Sequence, residues 1–244
     1  MDSQQIPAGS TPDEIREKLA GIWTSRAVAE HESTIRFGAY ARRMETFGVA
    51  PELIEGTREA AEDERRHKEI CLDVARRFGA SEPAFEAFEF WRRPDGREVL
   101  LSNMVATCCL METLNAPFLA LSLSVADDSA MRTAFRELLK DEVKHAKLGW
   151  AYLLWARQQG EGAPLADQLP KMFVDVSMPS FFSASLEPDP RETELAHFGE
   201  LSMAQRRQLF FDTVNDVIFP GLESNGIPTG PARAWIAKPV WRDH

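Results

Sequence analysis

Cysteine is scarce in this sequence. There are three, Cys71, Cys108 and Cys109, and no two form a CxxC pair. That excludes a four-cysteine zinc or rubredoxin-type module, and an odd, partly adjacent set excludes a disulfide framework. Reduced thiols and a cytoplasmic location are the expectation. Positive charge is also short: 28 Lys and Arg stand against 38 Asp and Glu, for a net charge of −10. A phosphate-binding face must be basic, so nucleic acid is excluded as a partner. Five Arg-Arg pairs, at 42–43, 65–66, 76–77, 92–93 and 206–207, are scattered among acids and read as solvated helix surface. No apolar run approaches the length of a bilayer span, and the polar start MDSQQIPAGSTPDE is no signal peptide. No membrane partner is expected.

Strand signals are missing too. Residues 12–160 show no period-two alternation and few β-branched residues, which predicts an all-α fold. Thr11-Pro12-Asp13-Glu14 opens a first helix that runs to about Phe47, with Gly48 as its stop. Pro51 opens a second, ended near Phe78 by Gly79. Residues 80–97 form a longer connection in which EPAFEAFEFW offers a short helix. A third helix spans about Glu98 to Val125, and Pro117 inside it is expected to kink it. One of Asp127, Asp128 and Ser129 caps a fourth helix that ends near Gly160. From 161, prolines 164, 170, 179, 188 and 190 break the chain into short pieces, Ser202-x-x-Gln205 forms a capping box, and a fifth helix follows to about Glu223. The reading is a single domain: a bundle over 12–160, and a helical C-terminal extension over 161–244 that packs on it.

Two helices carry one pattern, Asp63-Glu64-x-x-His67 and Asp141-Glu142-x-x-His145. At 3.6 residues per turn, Glu64 and His67 share a face, and so do Glu142 and His145. For residues placed independently, two of five histidines in this pattern have odds on the order of 3 in 10,000. A dinuclear site in a bundle needs one further carboxylate from each of the other two helices. On the third helix, CCLMETLNAP holds a single acid, Glu112, costly in an apolar surround unless paired or ligated. On the first, Glu30 is favoured over Glu32, because Ala27, Thr34 and Phe37 share its face. Glu32 points about 160° away in an ideal helix. Thirty-four residues separate Glu30 from Glu64, and thirty separate Glu112 from Glu142, so each half reads as a helix hairpin with mid-helix ligands. Oxygen and imidazole donors suit iron or manganese. Asp63 and Asp141 lie about 100° around their helices from the glutamates, placed to accept the outer N–H of the opposite motif's histidine.

On Glu30, Glu64-x-x-His67, Glu112 and Glu142-x-x-His145, the chain resembles the ferritin-like di-iron carboxylate superfamily. The resemblance implies an antiparallel four-helix bundle with one long crossover between the second and third helices. It implies that Glu64 and Glu142 bridge or chelate two iron ions, cycling between Fe2+ and Fe3+, with manganese as the other occupant. Glu30 and Glu112 would be terminal ligands, all six residues would be catalytic, and O2 would be the co-substrate. Several branches fit poorly. Bacterioferritin is shorter and lacks residues 161–244, and rubrerythrin needs four further cysteines. The ribonucleotide reductase small subunit has its radical Tyr where Cys71 stands here, which excludes a stable tyrosyl radical at that position. The arylamine N-oxygenases are similar in chemistry but carry an additional His ligand. The aldehyde-deformylating oxygenases are similar in length, ligand spacing and C-terminal extension.

The leading expectation is an oxidase or oxygenase acting on a small organic substrate, in secondary metabolism. An external ferredoxin or reductase would supply electrons to a monomer or homodimer. A non-enzymatic iron-storage bundle, and a peroxide-scavenging or dimanganese protein, are the alternatives. Cys71 and Cys108 read as small buried hydrophobes, Trp150, Tyr152 and Trp155 as core packing, and His31 and His197 as structural residues.

Overall fold

The computed structural model describes residues 12–85, 96–161, 165–184, 186 and 188–239. All regular structure among them is helical, and no strand occurs there. Helix α1 spans Asp13–Phe47 and ends as expected at Gly48, which takes the left-handed φ of 65°. The Val49 amide then reaches back to the Met44 carbonyl at 3.0 Å, closing the helix end in the way glycine permits. Only residues 48–50 separate α1 from α2, Pro51–Arg77, so the two form a hairpin packed along its length. Gly79, at φ 94°, stops α2. Thr11 and residues 86–91 of the stretch expected to hold a short helix lie outside the described residues, and 82–85 carry no helix.

Helix α3 runs unbroken over Arg97–Val125 and includes Pro117, but Val105–Glu112 is wound as a π-helix. The sequence reading did not foresee that irregularity. It also expected no run of membrane-spanning length. In fact α3 is long and apolar enough to cross a membrane by length and composition, with 56% of its apolar window buried within the protein. A core helix packed on several sides has the same composition. Helix α4, Ser129–Gln158, follows. Of its three candidate caps, Asp128 serves: the Ala130 and Met131 amides both donate to Asp128 Oδ1 at 3.0 Å. Then come α5, Leu165–Val176, a 3-10 turn at Pro179–Phe182, and the short α6, Glu192–Ala196. Helix α7 covers 203–224, with a second π stretch at Val214–Ile218, and α8 is Gly230–Ala237. The expected capping box opens α7: Ser202 Oγ accepts from the Gln205 amide at 3.2 Å, and Gln205 Oε1 from the Ser202 amide at 2.9 Å.

The chain groups into two compact units, each drawing on residues before and after 160. The first comprises Met1–Arg93, Leu119–Asp141 and Asp189–Leu201. Its core is built on Leu19, Trp23, Leu72, Phe135, Leu138 and Phe198. The Trp23 and Phe135 rings lie 5.3 Å apart, with the Arg26 guanidinium over both. Removing a buried ring of this kind costs about 3–5 kcal/mol. The second unit comprises Pro94–Phe118, Glu142–Pro188 and Ser202–His244. There α5 packs against α8 and the π stretch of α3. Phe181 stacks on Phe210 at 5.1 Å, and Phe173 meets Phe219 at 5.7 Å. The aromatic C-terminal residues thus supply core rather than a loose tail.

Candidate metal centre

In the first unit, Glu30 on α1 meets Glu64 and His67 on α2. Glu64 and His67 sit three residues apart, on one face of a regular helix, and are 1% and 0% exposed. His67 Nδ1 lies 3.6 Å from Glu64 Oε2 and 3.9 Å from Glu30 Oε2. One ligand atom from each of the three residues falls within 4.8 Å of the others. The outer ring nitrogen, His67 Nε2, lies 3.4 Å from Asp141 Oδ2, the acceptor the sequence reading assigned to it. A proton held on Nε2 leaves the lone pair on Nδ1, facing the two glutamates.

Asp141 is itself 1% exposed and receives Arg66, whose guanidinium also donates to Asp63 at 2.9 Å. Burial lowers the Arg66 pKa, and the Asp63 and Asp141 carboxylates more than reverse that. Arg66 belongs to an Arg pair read from the sequence as solvated surface, and it is exposed as expected; only its reach to the buried Asp141 was not foreseen. Its signal was available: it stands three residues after Asp63 and directly before His67.

In the second unit, Glu112 closes the π stretch of α3, and Glu142 and His145 share a face of α4. They are 5%, 1% and 2% exposed. His145 Nδ1 lies 3.1 Å from Glu142 Oε2, and one ligand atom from each of the three again falls within 4.8 Å of the others. Each unit therefore gathers two carboxylates and an imidazole.

Two donors about 2.1 Å from one ion lie about 3 Å apart at a right angle and about 3.4 Å apart at the tetrahedral angle. The nitrogen–oxygen separations of 3.1 to 3.9 Å suit that with small side-chain shifts. Buried carboxylates held side by side repel, and a cation between them removes the repulsion. Oxygen and imidazole donors without thiolate fit iron and manganese. All of these residues but the part-exposed Glu30 are buried, and on spacing and donor type both trios fit a metal ion.

The other candidate residues resolve plainly. Glu32, rejected for Glu30, has a side chain 39% exposed, 3.9 Å from Arg36. Cys71, Cys108 and Cys109 are buried and in no disulfide, and burial raises the Cys109 thiol's pKa. His31 stacks on Phe85 at 4.6 Å, and His197 pairs with Asp127 at 2.7 Å. Tyr152 is buried against Trp155. No protein family, curated protein or solved structure matches the chain.

Proposed function

We propose that the chain holds two iron ions, one at each trio, and uses O2 to oxidise a small organic substrate. The observation that carries this is the repetition: two trios, buried except for the part-exposed Glu30, each of two glutamates and one histidine with Nδ1 beside a glutamate oxygen. Bound iron would supply the electrons that reduce O2, returning from Fe3+ to Fe2+ through an external ferredoxin or reductase. The protein's part is binding, charge and exclusion of water. Glu30, Glu64, Glu112 and Glu142 would offset the charge of the cations. His67, with its Nε2 proton held towards Asp141, offers Nδ1 as a neutral donor. Ala27, Phe37, Cys71, Cys108 and Leu110, on the same helices as these residues, are all fully buried.

The test is metal quantification on protein from iron-rich growth, followed by anaerobic Fe(II) loading and stopped-flow absorbance on adding O2. Two irons per chain are expected, with a transient whose decay speeds up in the presence of one compound class. Fewer than two ions, or loaded protein inert to O2, overturns the reading. Elution as a large cage in size-exclusion chromatography would instead favour iron storage.

A further inference from the structure

Something must hold the π stretch that delivers Glu112. π-helical turns are rare and appear mostly as single turns within α-helices. The residues VATCCL contain little that would favour such a turn over the α register.

Threonine hydroxyls show where the difference lies. Thr34, Thr46, Thr57 and Thr133 each donate to the carbonyl four residues back, at 2.7 to 3.0 Å. That is the usual habit of a helical threonine. Thr113 donates instead to the Cys108 carbonyl, five residues back, at 3.2 Å. Five back is the acceptor position of the π pattern. The same hydroxyl oxygen accepts the indole N–H of Trp150 at 3.1 Å. A hydroxyl has one proton to donate and lone pairs to accept with, so both bonds fit one orientation.

Two glycines let the surrounding helices close on this link. A Cβ at Gly149 would lie 2.3 Å from Cys108 Cβ and 2.9 Å from the Cys108 carbonyl carbon. A Cβ at Gly221, on α7, would lie 2.7 Å from the Trp150 ring. Trp150 is thus braced by α7 on one side and bonded to Thr113 on the other.

We infer that Thr113, held by Trp150, is a positioning residue that keeps 105–112 in the π register and so places Glu112 beside Glu142 and His145. The inference rests on the reading of that trio as a metal site. Reversion to the α register would turn Glu112 by about one residue, or 100°, relative to the helix before it.

The experiment compares Thr113→Val, Thr113→Ser and Trp150→Phe with wild type in two measurements. Hydrogen exchange of the metal-free proteins reads the backbone of 105–113 directly. Anaerobic Fe(II) titration reads affinity and stoichiometry. Thr113→Val is expected to raise exchange across 105–113 and to weaken one of the two ions about 10–100-fold. Thr113→Ser, which keeps the hydroxyl, restores both. Trp150→Phe shows the same changes to a smaller extent, and still decides the matter if the valine variant does not fold. Exchange in 105–113 unchanged in both Thr113→Val and Trp150→Phe overturns the inference, whatever the metal content. So does unaltered affinity at both ions in Thr113→Val. If wild type takes up no iron while exchange rises in the variants, the metal reading fails and the hold of Thr113 on the π turn stands.

Discussion

The two trios use the same three residue types and are braced by opposite means. Behind His67 stands a row of charges: Asp141, Arg66 and Asp63. Behind Glu112 stands a neutral chain: the Cys108 carbonyl, the Thr113 hydroxyl and the Trp150 indole. The first trio stands on regular α-helix, where three-residue spacing alone aligns Glu64 and His67. The second includes Glu112 on a π turn, whose placement on the inference above depends on a hydrogen bond outside the helical ladder. Identical donors therefore do not imply identical tuning. A charged brace acts on the basicity of a ligand, whereas a neutral brace acts on its position.

The largest effect that bears on this contrast comes from removing the imidazoles one at a time. His67→Ala and His145→Ala are each expected to lower iron from two per chain to one or none, with helix content by circular dichroism largely intact. If either variant keeps two ions, the assignment of that trio is wrong. A smaller effect separates the braces. Asp141→Asn keeps the shape and removes the charge behind His67, and it is expected to weaken one ion about 10–100-fold. Exchange in 105–113 should not move in that variant. A rise there would mean that the two braces are one network.

Much of this was legible in the sequence, for reasons that differ by residue. Gly48, Gly79 and Gly160 marked helix ends because their positive φ is what other residues avoid. Ser202 and Gln205 marked a start because the capping box needs both. Glu30 was separable from Glu32 by helical phase alone. The π turn was not legible. Its residues are almost all buried, so they show no polar face whose period could distinguish one winding from another. The third helix was placed over Glu98–Val125, close to the observed α3, but its apolar length was missed because only the run FLALSLSVA at its end was weighed as a span. Arg66 is exposed as read, and its bond to the buried Asp141 was missed because a charge beside other charges on a helix usually meets only water and its neighbours.

The smallest effect extends the contrast along α2. Ten residues beyond His67, Arg77 binds both oxygens of Asp128, at 2.7 and 2.5 Å, while Asp128 caps α4. Burial pushes the Asp128 carboxyl up, but the Arg77 guanidinium and the Met131 and Ala130 amides outweigh it and hold the pKa below the usual carboxylate value. A depressed folded-state pKa gives stability that is complete above the unfolded value of about 4 and is lost as pH falls through the lower folded value. Asp128→Asn keeps a cap acceptor and loses the charge. At pH 7 it is expected to cost about 1–2 kcal/mol, or about 2–6 °C in Tm. That gap should close as the pH falls below about 4. Ser202→Ala alters a neutral cap with no titrating group in the link, so its own gap should stay flat over the same range. Thermal melts of both variants against wild type from pH 7 to pH 3 check this. Parallel curves would remove the distinction between a charged and a neutral brace.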